Sequence, residues 1–329
     1  MRKQMMLAMT AAAALTLAAC SGGGEGGDAE GGTGGEGTVD FVTIAAGGTS
    51  GPYYQISATM AQIFADELGA DASPQATGAS VENIELITSD RAELAFAMGD
   101  ATRQAVEGTG PFEGKDELKD LKALTALYPN FVQIVTTADS GINSVEDMKG
   151  KRIGVGDQNS GVELNARMIF EAHGMTYDDI TEDYLSYSDA IDQMKNGQVD
   201  AAFVTSGLPN ASVLDLVTSH DVKIVPIEGE GMKKLIELYP FFNEDVIPGG
   251  TYDEEEDVST ASIMNQLLVS PSLSDDEVYA LTKAMFENLD KVHQAHNAAT
   301  NITLDSVEDG LAVELHPGAK RYFEEQGAL

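Results

Sequence analysis

Phe41-Val42-Thr43-Ile44-Ala45, running into Ala46-Gly47-Gly48-Thr49-Ser50-Gly51-Pro52, is the stretch whose reading decides the fold. The first five residues are apolar or β-branched and read as a short strand. Three glycines then break the pattern, and a proline follows that suits the first position of a helix. Beyond it Tyr53, Ile56, Met60, Ile63, Phe64 and Leu68 recur three and four apart, the period of one buried helix face. A second helix around residues 81–87 leads to Ala92-Glu93-Leu94-Ala95-Phe96, a buried strand that ends in Met98-Gly99-Asp100.

The same order of elements returns later in the chain. Lys151-Arg152-Ile153-Gly154-Val155-Gly156 reads as a strand entering the loop Asp157-Gln158-Asn159-Ser160-Gly161. A helix carrying Leu164, Met168, Ile169 and Phe170 follows and stops at Gly174, a residue suited to a helix C-terminus. Another helix around residues 190–194 precedes Val199-Asp200-Ala201-Ala202-Phe203-Val204, again a buried strand with a polar, glycine-bearing end. Two such modules predict an α/β fold of two lobes with largely parallel sheets. Ligands in such sheets bind beyond the carboxyl ends of the strands, where both loops lie, so two facing lobes would enclose a cleft. The expected division is 39–127 for the first part of lobe I, 128–227 for lobe II, and 228–329 for a return to lobe I. The crossings fall near Tyr128-Pro129 and after Ile224-Val225-Pro226, and C-terminal helices are expected over 275–296 and 306–326.

The start of the chain speaks to compartment. Arg2 and Lys3 precede an apolar run from Met5 to Ala19, too short for a stable membrane span. It closes on Leu17-Ala18-Ala19-Cys20, which resembles a lipobox. Residues 1–20 are therefore expected to be a lipoprotein signal peptide, with Cys20 carrying the lipid that anchors an extracytoplasmic protein to the cell membrane. Residues 21–38 hold Gly, Glu, Asp, Ala, Ser and Thr, with no large apolar side chain, and read as a flexible tether.

Composition narrows the chemistry. With 19 basic against 54 acidic residues, the formal charge of −35 repels nucleic acid and anionic lipid. A salty environment that screens such charge accounts for it without reference to any ligand. The single cysteine excludes an intramolecular disulfide and a thiol nucleophile in the folded body. No Gly-x-Ser-x-Gly elbow occurs. His293 and His296 stand three apart with no third metal ligand signalled nearby. Neither a metal, a cofactor nor an enzyme is expected.

Several segments together are similar to the TAXI family, the solute-binding subunits of one class of tripartite ATP-independent periplasmic (TRAP) transporters. They are Gly47-Gly48-Thr49-Ser50-Gly51-Pro52-Tyr53-Tyr54, Thr77-Gly78-Ala79-Ser80-Val81-Glu82-Asn83, Gly174-Met175-Thr176-Tyr177-Asp178-Asp179-Ile180 and Gly197-Gln198-Val199-Asp200-Ala201-Ala202-Phe203. Gly207-Leu208-Pro209-Asn210 and Ile247-Pro248-Gly249-Gly250-Thr251-Tyr252 complete the set, which covers nearly the whole chain after the tether. The resemblance implies a type II periplasmic-binding-protein fold that closes by hinge motion on a small anionic or zwitterionic metabolite. Expected ligands are an amino acid such as glutamate or a dicarboxylate such as 2-oxoglutarate, delivered to the permease subunits of a TRAP transporter. Two other readings stand beside it, a binding protein of an ATP-driven importer of sulfonates or thiamine precursors, and a ligand-sensing lipoprotein. Two departures stand out. The second-lobe loop carries Asp157 and Glu163 where the family is richer in Pro, Gly, Ser and Thr, and an acidic run from Asp253 to Asp257 follows Tyr252.

Candidate ligand-binding residues follow from these loops. Gly48, Thr49 and Gly51 lie at a helix N-terminus, where free amides and the helix dipole favour an anion; a tight turn packing strand on helix is the structural alternative. Tyr53 and Tyr54 point to different sides of their helix, one to the core and one to the cleft. Ser80 is expected as an N-cap, with Asn83, by resemblance, lining the cleft. Ser160 and Gly161 mirror the first loop across the cleft. Phe203, Thr205 and Gly207 follow the second buried strand, and Tyr252 would close over the ligand.

Overall fold

The computed structural model describes residues 39–329 except Asp116 and Asp253; the leader, Cys20 and the tether lie outside the described residues. In chain order the first half contains β1 (Phe41–Ala45), α1 (Pro52–Leu68), β2 (Asp71–Gln75), α2 (Ser80–Thr88), β3 (Leu94–Met98) and α3 (Gly99–Glu107). A long strand, β4 (Lys122–Thr137), leads to β5 (Arg152–Gly156), α4 (Gly161–Ala172), β6 (Thr181–Tyr184), α5 (Tyr187–Lys195) and β7 (Ala201–Ser206). Then come α6 (Ala211–Val217), β8 (Val222–Val225), α7 (Gly229–Leu238), β9 (Asn243–Ile247) and a second long strand, β10 (Val258–Val269). The chain finishes with α8 (Asp275–Phe286), α9 (Leu289–Ala295) and α10 (Pro317–Gln326).

The strands form one curled sheet in the order β2-β1-β3-β10-β4-β7-β5-β6, with β8 beside β4 and β9 beside β10. β1 pairs in parallel with β2 and β3, and β5 in parallel with β6 and β7. Between these two parallel groups run the antiparallel β4 and β10. The part of β10 after Met264 pairs with β3, whereas its first five residues pair with β9. β4 past Phe131 pairs with β7 and β8. The two strands thus join the halves, each belonging to lobe I at one end and to lobe II at the other.

Local chemistry accounts for the elements that matter to the cleft. α1 opens on Pro52 and ends at Gly69, whose left-handed φ of 70° returns amides to the last carbonyls. Its inner face buries Ile56, Met60, Ile63 and Phe64. α4 starts at Ser160, whose hydroxyl accepts from the Glu163 amide, and buries Ile169 and Phe170. The Phe170 ring lies 5.3 Å from that of Phe203 on β7, edge to face.

Two expectations need correction. The chain does not return to lobe I after Val225-Pro226: α7 packs on α4 and β9 extends the lobe II end of β10, so the return occurs within β10 near Met264. Nor is 306–326 one helix. Leu315 bridges Ala123 of β4, the His316 amide bonds the Ala123 carbonyl at 2.7 Å, and α10 begins only at Pro317, capped by the His316 ring. Proline cannot sit inside a helix without losing a bond and clashing, so the helix starts at it.

Candidate functional site

Where β1, β3, β5 and β7 end, a cavity of about 520 Å³, its open mouth included, lies between the two halves. Lobe I contributes Gly47, Gly48 and Gly51 from the loop after β1, Tyr53 from α1, Ala79 before α2 and Met98 closing β3. Lobe II contributes Asp157 and Ser160 after β5, Val162 of α4, Ser186 and Tyr187 at the start of α5, and Thr205 and Ser206 ending β7. Asn130, on the connecting strand β4, lies between them.

Four helices present their N-cap residues to this one space: Gly51 of α1, Ala79 of α2, Ser160 of α4 and Ser186 of α5. The serines cap their own helices, accepting from the amides of Glu163 and Asp189. α1 and α2 have no side-chain cap. Leaving a helix start uncapped forgoes about 1 kcal/mol, and those free amides point where a ligand anion would lie. Ala79 holds a φ of 70°, a conformation alanine adopts at a cost of about 1–3 kcal/mol and one that recurs at binding sites.

The polar floor is a connected network. Asn265 of β10 donates to the Tyr128 carbonyl at 2.9 Å and accepts from the Asn130 amide at 2.9 Å and from the Tyr53 hydroxyl. Tyr53 is therefore the cleft-facing member of its pair; Tyr54 packs against the core. Among the described residues, two buried polar atoms on residues bordering the cavity have no partner, the side-chain oxygen of Asn130 and the hydroxyl of Thr205. The Thr205 carbonyl is occupied, accepting from Tyr187 at 2.7 Å. Asp157 is half-buried, and among the described residues no ion pair or hydrogen bond engages its carboxylate. Burial, then repulsion from Asp189 and Glu82, pushes its pKa up.

Of the residues singled out from sequence, Gly48, Gly51, Tyr53, Ser160 and Thr205 border the cavity; Thr49 and Tyr54 do not. Ser80 is the first residue of α2 rather than its cap, and its hydroxyl accepts from the Met98 amide at 3.1 Å. Asn83 does not line the cleft. It is buried and donates to the carbonyls of Ala46 and Phe96 at 2.5 and 2.8 Å, holding the loop after β1 against β3. Gly161 packs at the junction of the halves, where an added Cβ would lie 2.8 Å from Met98 Sδ and 2.9 Å from Ser80 Oγ. Phe203 is core, and Gly207 packs against Ala298 and Tyr128. Tyr252 donates to Gln133 and accepts from the Asn210 amide at 2.8 Å, outside the cavity wall. Glu163, one of the two acidic departures, turns away from the cavity to pair with Arg167 and Tyr177. His293 and His296 each contact a backbone carbonyl, those of Ile302 at 2.8 Å and Pro209 at 3.1 Å, and no metal-competent cluster occurs among the described residues.

Sequence reasoning missed Asn130, Ser186, Tyr187 and Ser206. A signal existed for one pair: Ser186 followed three residues later by Asp189 is a helix-start pattern. Asn130 had none, because a polar residue within a strand does not announce which face it occupies.

The fold is that of a periplasmic binding protein. The structure of the periplasmic binding protein BugD superposes with a TM-score of 0.56 at 14% identity, covering 88% of this chain and 94% of that one. PhnD1 from Prochlorococcus marinus, solved in complex with methylphosphonate, gives a TM-score of 0.55 at 10% identity over 88% of this chain and 99% of its own. A protein from Bordetella bronchiseptica gives 0.52 at 16% identity over 87% and 98%. At such identities the likeness speaks for the fold alone. The family model of the NMT1-like family matches residues 44–327, nearly all of the described chain, and the protein belongs to that family.

Proposed function

We propose that this protein is a solute-binding protein that captures a small molecule with an oxyanion head and presents it to a membrane permease. The observation that carries this reading is the convergence of four helix N-termini, two of them uncapped, on one cavity that holds the unpartnered Thr205 hydroxyl. Aligned amides bind an anion without any Lys or Arg, and neither residue borders this cavity. The space suits a small metabolite. The contact of Gly161 with Ser80 and Met98 is that of halves drawn together, so binding would shift an equilibrium between open and closed forms.

The methylphosphonate held by PhnD1 is a small oxyanion and supports the same ligand chemistry. It stands nearer to the sulfonate type of solute expected for an ATP-driven importer than to a TRAP substrate. An ATP-driven importer is therefore the better supported partner. An extracytoplasmic position, with a lipid on Cys20 as anchor, completes the reading and rests on residues 1–20.

A thermal-shift screen of the purified protein against sulfonates, phosphonates, amino acids, dicarboxylates and neutral sugars tests it. A true ligand at a hundredfold excess over its Kd should stabilise by about 2.7 kcal/mol. Stabilisation by an oxyanion supports the reading. Stabilisation by neutral sugars alone, or by nothing in a folded sample, overturns it. Uptake into membrane vesicles driven by ATP rather than by an ion gradient would separate the two permease classes.

A further inference from the structure

We infer that Asp157 and the side-chain oxygen of Asn130 form a second, cation-seeking half of this site and select a solute that carries an ammonium group together with its oxyanion. The inference rests on the oxyanion reading above and adds what the other end of the solute must be.

The argument begins with the orientation of two amides. The Asn265 side chain must direct its NH2 at the Tyr128 carbonyl, 2.9 Å away, because a carbonyl only accepts. Its oxygen therefore faces Asn130 and Tyr53, and the group on Asn130 2.9 Å from that oxygen must be the NH2. The Asn130 oxygen is then left, on a residue 2% exposed that borders the cavity, with no donor among the described residues to satisfy it. A buried acceptor without a donor has lost its water and gained nothing in return, which destabilises the unliganded site. A ligand N–H removes that cost; a ligand anion adds to it.

Asp157 asks for the same partner. Its carboxylate borders the cavity, lies close to the Tyr187 phenol and to the carboxylates of Asp189 and Glu82, and has no cation beside it among the described residues. Glu82 and Asp189 are each occupied, accepting from the Gly78 amide and the Ser186 hydroxyl at 2.6 Å. Asp157 alone is free. A dianion placed in this cavity meets the Asp157 carboxylate and, among the described residues, no bordering guanidinium or ammonium, whereas a zwitterion puts its positive end on Asp157 and its negative end at the helix starts. The charge pattern thus favours an amino acid, aminosulfonate or aminophosphonate over a dicarboxylate such as 2-oxoglutarate.

The test is titration calorimetry with matched pairs differing only in the amine: taurine and ethanesulfonate, 2-aminoethylphosphonate and ethylphosphonate, glutamate and glutarate. The amine-bearing member of at least one pair should bind at least about tenfold tighter, equivalent to about 1.4 kcal/mol. Asp157→Asn should bring that ratio close to one, the amine-bearing member losing affinity and the amine-free anion, no longer repelled by the carboxylate, gaining it. A purely structural Asp157 would weaken both members alike. Equal affinities within every pair, with binding present, overturn this inference and leave the oxyanion reading standing; binding of neither member of any pair overturns both. If Asp157→Asn does not fold, the pair ratio in the unaltered protein decides.

Discussion

Asp100 on α3 and Asn165 on α4 are both fully buried and face each other across the junction of the two lobes, joined by one hydrogen bond from the Asn165 amide to the Asp100 carboxyl at 2.7 Å. The other oxygen of Asp100 and the single side-chain oxygen of Asn165 have no partner among the described residues. Burial pushes the Asp100 pKa up to about 7, partly offset by backbone amides and by Asn165. The nearby Tyr53 phenol is itself pushed up by burial and stays neutral. A protonated Asp100 is neutral and can itself donate a hydrogen bond in this buried junction; an ionised one is a buried charge that can only accept. The native pKa lies above the unfolded one, so this contribution is complete below about pH 4 and lost as pH rises through about 7. Apparent melting temperature and ligand affinity should both fall between about pH 4 and 7, as scanning calorimetry and titration at several pH values would show. Asp100→Asn should flatten this dependence and raise stability at pH 8 by about 1–3 kcal/mol. A wild-type profile flat across that window would sink the assignment.

The second contact across the junction is steric. Gly161 approaches Ser80 Oγ so closely that a Cβ would stand 2.9 Å away, with Met98 Sδ at 2.8 Å. Both neighbours belong to lobe I, whereas Gly161 starts α4 of lobe II. Gly161→Val should therefore hold the halves apart while each still packs its own core. The expected result is at least about a tenfold loss of ligand affinity and a larger radius of gyration in ligand-containing solution, with melting in the absence of ligand changed little. Unaltered affinity would mean that the junction tolerates the spacing and that closure does not depend on it.

The alternation of strand, glycine loop and helix made β1, α1, β5 and α4 legible in the sequence, because the apolar period and the turn residues agree there. The cleft was legible only as far as those loops reach. Gly48, Gly51, Ser160 and Thr205 sit at strand ends and helix starts, positions that local pattern identifies. Asn83 misled, since an asparagine near a helix start serves equally to tie two distant carbonyls, and the choice depends on tertiary packing. The return crossing was misplaced because β10 changes lobes without a break in its strand pattern. Within the acidic run after Tyr252, Glu254 is half-buried and accepts from the Ile224 amide at 3.2 Å, a tertiary contact that composition does not reveal.

Asn83 itself gives a stability prediction. Both protons of its amide are used, on Ala46 and Phe96, and its oxygen accepts from Thr77 at 2.6 Å. Asn83→Ala would take from two backbone carbonyls the buried donor they share. The loss should be about 2–4 kcal/mol in urea unfolding. Asn83→Asp should be no better, because a carboxylate cannot donate to either carbonyl. A loss below about 0.5 kcal/mol would show that the loop after β1 is held by other means.

Thr205 separates binding from folding. It lies at the end of β7 and borders the cavity, and its buried hydroxyl bonds nothing among the described residues. Thr205→Val keeps the shape and removes a polar atom that the ligand-free protein leaves unsatisfied. Removing such a group is expected to be neutral or to stabilise by about 1 kcal/mol in the absence of ligand. With ligand the sign reverses, because the variant forfeits one hydrogen bond to the bound solute, worth about 1–3 kcal/mol when the partner is charged. The melting curves of the two proteins should therefore cross as a binding solute, identified in the screen above, is titrated in. Parallel curves at every concentration would place the hydroxyl outside the contact, and a variant less stable even without ligand would show that Thr205 already has a partner.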